Sequence, residues 1–465
     1  MLTIKRRQVA VKKKSAPKQG GAKTLTMNAD ASAAPRSSHH AIARGGYAPF
    51  KYICGPMSKS TSYPKEKINI LLLENISDTA VSNFSHAGYT VTKMNGALSE
   101  EALIAAVKDV HLLGIRSKTN VNAKVLASAP KLQAVGCFCI GTNQVDMAAA
   151  TQQGVVVFNA PYSNTRSVAE LVIGASIMLI RRIVDKNRAA HEGKWLKEAV
   201  GSYELRGKTL GIIGYGNIGT QVSVLAESMG LKVLFYDVIT KLPLGNAVAC
   251  KTLKELLGKS DIVSLHVPEL ESTKNLINKA AIKQFKKGGI LINYARGEVV
   301  DLEALATALS SGDMGGAAID VFPVEPEKNG EAFSTPLQGL PNVLLTPHIG
   351  GSTQEAQENI GIDVSTKLLA YLEKGISYGS LSVPPTSLPL LEGAHRILHI
   401  HHNVPGVLAE MNMTLSNNSI NILGQYLATN EQIGYVVLDV DKQLSKSALD
   451  LLRNVKATIK VRMLY

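Results

Sequence analysis

Leu210-Gly211-Ile212-Ile213-Gly214-Tyr215-Gly216-Asn217-Ile218-Gly219 decides the fold. A short apolar run of strand type meets a Gly-x-Gly-x-x-Gly loop, and a helical pattern follows over 217–229. The loop alone is a weak signal; its place between strand and helix gives it weight. Gly214 permits the tight turn, Gly216 lets backbone approach a pyrophosphate, and Gly219 lets helix and strand pack closely. Asn217 and Ile218 open the helix, whose N-terminus offers unpaired N–H groups and a positive dipole end to phosphate. Asp237 ends the next apolar run. A carboxylate there accepts from ribose hydroxyls and repels a 2′-phosphate, so NAD rather than NADP is expected. The bland alternative makes Asp237 a turn residue.

Working downstream, strands are expected at 231–236, 261–265, 289–292, 317–319 and 343–345. With 210–213 they make a doubly wound parallel sheet of about six strands. Three residues near strand ends carry chemistry. Arg296, in Asn293-Tyr294-Ala295-Arg296-Gly297, has a planar fork suited to a carboxylate. His348, in Thr346-Pro347-His348-Ile349-Gly350-Gly351, has an imidazole fit to take a hydroxyl proton as hydride leaves the adjacent carbon. Glu325, in Val324-Glu325-Pro326, suits a partner that holds the imidazole and stabilises its charged form. Singly, each has an ordinary reading: a surface ion pair, an exposed loop histidine, a turn carboxylate. Their order after one dinucleotide loop favours a shared site.

Upstream, short strands are expected at 68–73, 111–115, 132–135 and 155–158, with a helix at 99–108, implying a second parallel α/β unit. A long apolar helix is expected over 167–183. A helix over about 353–373 is expected to return to the first unit, making it discontinuous. Val383-Pro384-Pro385-Thr386-Ser387-Leu388-Pro389 reads as a linker. Residues 395–465 read as βαββαβ. The expected organisation is a substrate domain at 63–163 and 351–383, an NAD domain at 164–350, a linker at 384–394 and a regulatory domain at 395–465.

Bulk properties bound the rest. The net charge of +13 suggests nucleic acid, yet residues 1–67 hold 14 Lys/Arg against Asp30 and Glu66. The remainder is nearly neutral, so nucleic-acid binding is not expected of the folded body. Residues 1–62 lack sustained periodicity and read as a disordered basic extension. Three functional readings compete with plain disorder: a transit peptide, a contact for nucleic acid or anionic lipid, and a start at Met57. No apolar run reaches membrane-spanning length. Cys54, Cys137, Cys139 and Cys250 match no zinc or CxxC spacing, so no metal is expected and a reducing compartment is.

The chain resembles the D-isomer-specific 2-hydroxyacid dehydrogenases, and within them the phosphoglycerate-oxidising members of bacterial type. The resemblance rests on Gly136–Asp146, Ser163–Glu170, Leu345–Ser352 and the terminal Arg462-Met463-Leu464-Tyr465, and runs from about Met57 to Tyr465. It implies a flavodoxin-like substrate domain, a Rossmann-like NAD domain and an ACT-like α+β regulatory domain. It implies a cytoplasmic homotetramer that oxidises 3-phospho-D-glycerate to 3-phosphohydroxypyruvate with NAD, the first step of L-serine synthesis, under feedback inhibition by L-serine. It also implies reduction of 2-oxoglutarate to 2-hydroxyglutarate. Arg296 is then carboxylate binder, His348 proton carrier and Glu325 its partner. Asp320, Tyr294, Ala295, His348, Gly350 and Gly351 border the cofactor. Arg116, Lys118 and Lys197, the last reaching across a subunit boundary, meet the substrate with Arg296. His401, Asn403 and Asn421 hold L-serine; without the resemblance, His399, His401 and His402 read as plain alternating strand residues.

Four places depart from the family pattern. Asn95 stands where relatives carry lysine, and Lys118 replaces arginine, giving up the planar fork. Tyr294-Ala295 replaces Ala-Ser, and Gly393-Ala394 replaces a Gly-Gly hinge. Two rivals stay open: a dehydrogenase for another 2-hydroxy acid, and a non-catalytic NAD-sensing corepressor on the same fold. The ACT-like end argues against both.

Overall fold

The computed structural model describes residues 64–326 and 330–464. The expected basic extension at 1–62 lies outside them, as does the Met57 start. The first sheet is parallel and built from β1 (Asn69–Leu72), β2 (Thr90–Lys93), β3 (Leu112–Ile115), β4 (Ala134–Cys137) and β5 (Val156–Asn159), in the order β2-β1-β3-β4-β5. That is the flavodoxin-like order, whose switch point lies between β1 and β3. Helices Asp78–His86, Glu100–Ala106, Ala123–Ala127 and Met147–Gln152 start at Ser77, Ser99, Asn122 and Asp146, each accepting a first-turn N–H. Strand β2 was not anticipated. It is an edge strand with no fully buried residue, so its Thr-Val-Thr-Lys lacks the apolar run of β3 to β5.

The second sheet holds β6 (Thr209–Ile213), β7 (Lys232–Tyr236), β8 (Val248–Ala249), β9 (Ile262–Leu265), β10 (Gly289–Asn293), β11 (Met314–Ile319) and β12 (Val343–Leu345). Its order, β12-β11-β10-β9-β6-β7-β8, is doubly wound with the switch between β6 and β9. There are seven strands rather than about six. The unexpected one, β8, is a two-residue exposed edge too short to show a pattern. The expected single helix over 167–183 is two: Thr165–Ile180 and Ile183–His191, divided where Arg182 takes a left-handed φ of 52°. The first packs on helix Asn217–Ser228. No helix among the described residues is long and apolar enough to cross a membrane.

Helix Gln354–Lys374 packs back on β4, β5 and helix Asp78–His86. It ends at Gly375, whose left-handed φ of 72° suits glycine. The last sheet is antiparallel: β13 (Ala394–His402), β14 (Ile422–Thr429), β15 (Ile433–Asp441) and β16 (Thr458–Leu464), ordered β14-β15-β13-β16. One face carries helices Val407–Asn417 and Ser445–Arg453. The other presents Leu398, Ile400, Tyr435 and Val437 to the core that Phe158, Leu368 and Tyr371 share with the first sheet. Arg462 stacks on Tyr371 at 4.4 Å and donates to the Tyr371 and Leu372 carbonyls. The Tyr435 hydroxyl donates to the Gly375 carbonyl. Ala394, expected in the linker, opens β13 opposite Asp441, while Gly393 keeps a left-handed φ of 85°.

Candidate active site

Two glycines of the nucleotide loop, Gly214 and Gly219, are required by a neighbour, and the third, Gly216, borders open space. Gly214 has φ +90°, and a Cβ there would strike the His266 carbonyl. At Gly219 a Cβ would strike the Gly214 carbonyl, so the helix presses directly on the turn. At Gly216 a Cβ would meet nothing within 4 Å: this is open space at a helix N-terminus that no side chain caps. Free first-turn N–H groups beside open space fit a pyrophosphate. Asp237 Oδ2 accepts from the Tyr215 N–H at 2.8 Å and Oδ1 from the Ile239 N–H at 3.0 Å. Asp237 thus pins the loop to the end of β7, and each oxygen retains a lone pair for a ribose hydroxyl. Beneath the loop, Tyr215 stacks on Phe235 at 3.9 Å and bonds Ser223.

Arg296, Asp320 and His348 follow β10, β11 and β12, all on the carboxyl edge of the sheet. Asn293 shapes the first turn: its amide donates to the Arg296 carbonyl at 2.9 Å and its oxygen accepts from the Ala295 N–H. A Cβ on Gly297 would overlap the Phe322 backbone, so this turn packs against the segment leading to Glu325. The Arg296 guanidinium donates once, to the Ala295 carbonyl, and no carboxylate lies within ion-pair distance among the described residues. Its other donors await an anion.

Asp320 is fully buried, and its carboxylate accepts from the Thr346 hydroxyl at 2.6 Å and the Ile349 and Gly350 N–H groups at 2.8 Å. The His348 N–H donates to the Asp320 carbonyl at 2.7 Å. These bonds hold His348 at φ +54°, a left-handed conformation that needs such support. The structure therefore makes Asp320 the organiser of the histidine turn. Gly351 is required by Asn164, which a Cβ would overlap. Tyr294 and Ala295 are buried in the core at the end of β10. The Tyr294 hydroxyl lies toward Thr346 and Asp320 without a well-formed hydrogen bond.

His348 Nδ1 and Glu325 Oε2 are 2.8 Å apart, and Glu325 Oε1 accepts from the Phe322 N–H. That bond to Glu325 raises the His348 pKa above the ordinary value, against partial burial and the Arg296 charge. Burial pushes Glu325 up, but the bonds from His348 and Phe322 outweigh it and leave its pKa lowered. With Nδ1 donating to Glu325, Nε2 is the ring atom left to exchange a proton, and the ring stays half-exposed.

The cations expected at the substrate are unevenly placed. Arg116 and Lys118 follow β3 at the carboxyl edge of the first sheet. The Cys139 thiol, which burial pushes to a pKa of about 11, lies within electrostatic reach of both Arg116 and Arg296. Lys197 is exposed between helix Ile183–His191 and β6, and no hydrogen bond or ion pair joins it to the other site residues among those described. Exposed Trp195, Val200 and Tyr203 share its segment.

In the last domain His401 is buried against Gly434, its Nδ1 on the His402 carbonyl and its Nε2 without a partner. Asn403 follows β13 and donates to the Asn430 carbonyl. Asn421 stands at the other end of the sheet. His401 aligns with Gly434 and Gly434 with Thr429, whereas the start of β14 aligns with Val440 and, through it, His395. Along β14 that separation is about 26 Å, at roughly 3.3 Å per residue. Residues missed in the sequence are Asn293, which shapes its own turn, and Thr346, Gln144 and Glu74, each defined by a bond to a distant loop. Among the described residues no group of three or more His, Cys, Asp or Glu is arranged to hold a metal ion.

Comparison with known proteins agrees with this geometry. Residues 173–350 match the D-isomer-specific 2-hydroxyacid dehydrogenase NAD-binding domain, and 397–460 the AHAS small-subunit-like ACT domain. The D-3-phosphoglycerate dehydrogenase of Haemophilus influenzae is 52% identical over 410 residues, covering 88% of this chain and all of that protein. That of Escherichia coli K12 is 51% identical over 407 residues, covering 87% of this chain and 99% of that protein. The structure of Aquifex aeolicus D-lactate dehydrogenase with NAD and lactic acid superposes with a TM-score of 0.58 at 28% identity, covering 65% of this chain and 95% of that one. Sheet order, glycine cradle and catalytic loops, with relatives matched across nearly their whole length, place this chain in the D-3-phosphoglycerate dehydrogenase branch of the D-isomer-specific 2-hydroxyacid dehydrogenase family.

Proposed function

We propose that this chain oxidises 3-phospho-D-glycerate to 3-phosphohydroxypyruvate, opening L-serine synthesis. The observation that carries the reading is an arginine free of carboxylates beside a Glu-held histidine, at the carboxyl edge of a dinucleotide sheet. NAD, when bound, supplies the hydride acceptor. Arg296 binds the substrate carboxylate through its fork and so orients carbon two. Neutral His348 takes the hydroxyl proton at Nε2 as hydride departs, and Glu325 stabilises the imidazolium through Nδ1. In the reverse direction the same imidazolium returns the proton to the carbonyl oxygen. Arg116 and Lys118 supply positive charge for the phosphate. The second carboxylate of 2-oxoglutarate suits the same charge, which supports reduction of that acid too.

We further read the ACT domain as an L-serine site shared between two copies, within a cytoplasmic homotetramer. The separation of Asn421 from His401 and Asn403 within one chain supports a site completed by a second copy. The exposed apolar segment bearing Trp195 and Lys197 supports a subunit contact at the NAD domain. The test is NADH oxidation by 3-phosphohydroxypyruvate, titrated with L-serine, alongside light scattering for the assembly. Saturable turnover suppressed by serine is expected of a tetramer. An enzyme inert to this substrate would remove the catalytic reading, and unsuppressed turnover would remove the effector reading alone.

A further inference from the structure

We propose that Glu74 is a positioning residue of the substrate site, setting the backbone from which Arg116 and Lys118 meet the phosphate of a phosphorylated 2-oxo or 2-hydroxy acid. This rests on the functional reading above. Glu74 follows β1, and Arg116 follows β3. These neighbours flank the switch point of the first sheet, where ligands of such sheets bind beyond the carboxyl ends of the strands. Pairing continues past β1, with the Leu73 N–H donating to the Gly114 carbonyl at 2.9 Å. The chain then turns sharply. Glu74 and Asn75 both take left-handed φ, 59° and 52°, a conformation that side chains other than glycine's disfavour.

The turn puts the Glu74 carboxylate, 8% exposed, under the neighbouring loop. Oε1 accepts from the Arg116 N–H at 3.0 Å and the Thr119 N–H at 2.9 Å, and Oε2 from the Lys118 N–H at 3.0 Å. Gln144 holds the same loop from the β4 side, its amide donating to the Arg116 carbonyl at 2.6 Å. One buried carboxylate thus takes the main-chain N–H of both cationic residues. Strain of this kind is kept where the surroundings over-determine a site. Gln144 also donates to the Cys139 thiol at 3.3 Å, and the charges of Glu74, Arg116 and Arg296 all act on that thiol, which supports placing the clamp beside the carboxylate binder.

A carboxylate suits this place and a carboxamide does not. Either orientation of a glutamine amide turns an NH2 group toward a backbone N–H, leaving two donors face to face. The full-length Glu74→Gln enzyme is assayed with NADH and two substrates, 3-phosphohydroxypyruvate and unphosphorylated hydroxypyruvate. The KM for the phosphorylated substrate is expected to rise tenfold or more, with kcat reduced less than threefold and NADH affinity unchanged. The KM for hydroxypyruvate should move less than threefold. A phosphohydroxypyruvate KM within twofold of wild type, equal losses on both substrates, or a loss confined to kcat and thermal stability each overturn the proposal. Should Glu74→Gln not fold, Glu74→Asp decides: it keeps the charge one methylene short, so a substrate-selective rise in KM supports the clamp and an unchanged KM overturns it. Wild-type enzyme inert to phosphohydroxypyruvate would instead defeat the functional reading, and this proposal with it, before any variant is made.

Discussion

Replacing Arg396 with methionine should loosen the regulatory domain and leave the nucleotide loop untouched. Arg396 lies in β13, 3% exposed, with every N–H engaged. Nε and Nη2 make a bidentate pair with Asp439 on β15, each at 2.7 Å. Nη1 donates to the Lys374 and Leu388 carbonyls, and Nη2 to that of Pro389. One side chain therefore ties the sheet to the end of helix Gln354–Lys374 and to the linker. Methionine fills similar volume but leaves a buried carboxylate without a partner. Breaking such a pair costs about 3–5 kcal/mol, most of it the stranded charge. Near 4 kcal/mol is about three decades in a local opening equilibrium. Hydrogen–deuterium exchange reads it directly: amides of β13 and β15 should exchange about a thousandfold faster where exchange follows local opening. Peptides spanning Gly214–Gly219 should not change. Because the cost is a stranded charge, Arg396→Met with Asp439→Leu should recover most of the protection. A single variant exchanging less than tenfold faster, or a double variant no better than the single, would refute this account.

The remaining expectations concern the catalytic, cofactor and effector sites. Glu325 raises the His348 pKa, and oxidation needs neutral His348, so Glu325→Gln should move the acid limb of the oxidation profile to lower pH. In the same variant, reduction, which needs the protonated ring, should fail earlier on the alkaline side; pH profiles of kcat/KM in both directions check this, and an oxidation limb moving upward would contradict it. Gly219→Ala drives a Cβ into the Gly214 carbonyl, and overpacking of this kind costs about 1–3 kcal/mol, so NADH affinity by fluorescence titration should fall roughly fivefold to 150-fold. Native affinity in that variant would mean the loop does not seat the cofactor. Asn421→Ala should weaken serine inhibition by about tenfold, the worth of one or two hydrogen bonds, with uninhibited turnover retained; an unchanged inhibition curve would exclude Asn421 from the effector site.

What was legible in the sequence was what local geometry determines. The three loop glycines, Asp237, and Arg296 and His348 at strand ends follow from strand, turn and helix signals within a few residues. The buried strands β3, β4 and β5 announce themselves as apolar runs. Edge strands do not: β2 alternates between exposed and half-buried residues without an apolar run, and β8 has only two residues. The break at Arg182 hid inside an apolar helix because nothing in its residue type demands left-handed backbone. Glu74 looks like turn punctuation until β1 lies beside β3, because its partners are 42 to 45 residues away. Asp320 looked like a cofactor contact, and only the fold of the Thr346–Gly350 turn makes its carboxylate the anchor of His348. Alternation put His399 and His401 on one face without saying which face, and the structure turns both inward. Asn421 sits far from His401 because of the strand order β14-β15-β13, which no local pattern encodes.

The most direct test of the central claim is single-turnover oxidation of NADH by 3-phosphohydroxypyruvate in His348→Ala, with NADH affinity measured on the same preparation. If His348 carries the proton and the cofactor seat is separate, the chemical step should slow by 10²-fold or more, as expected for loss of a positioned general acid, while NADH binds within about twofold of wild type. Turnover at a near-native rate in that variant would contradict the assignment of the proton carrier.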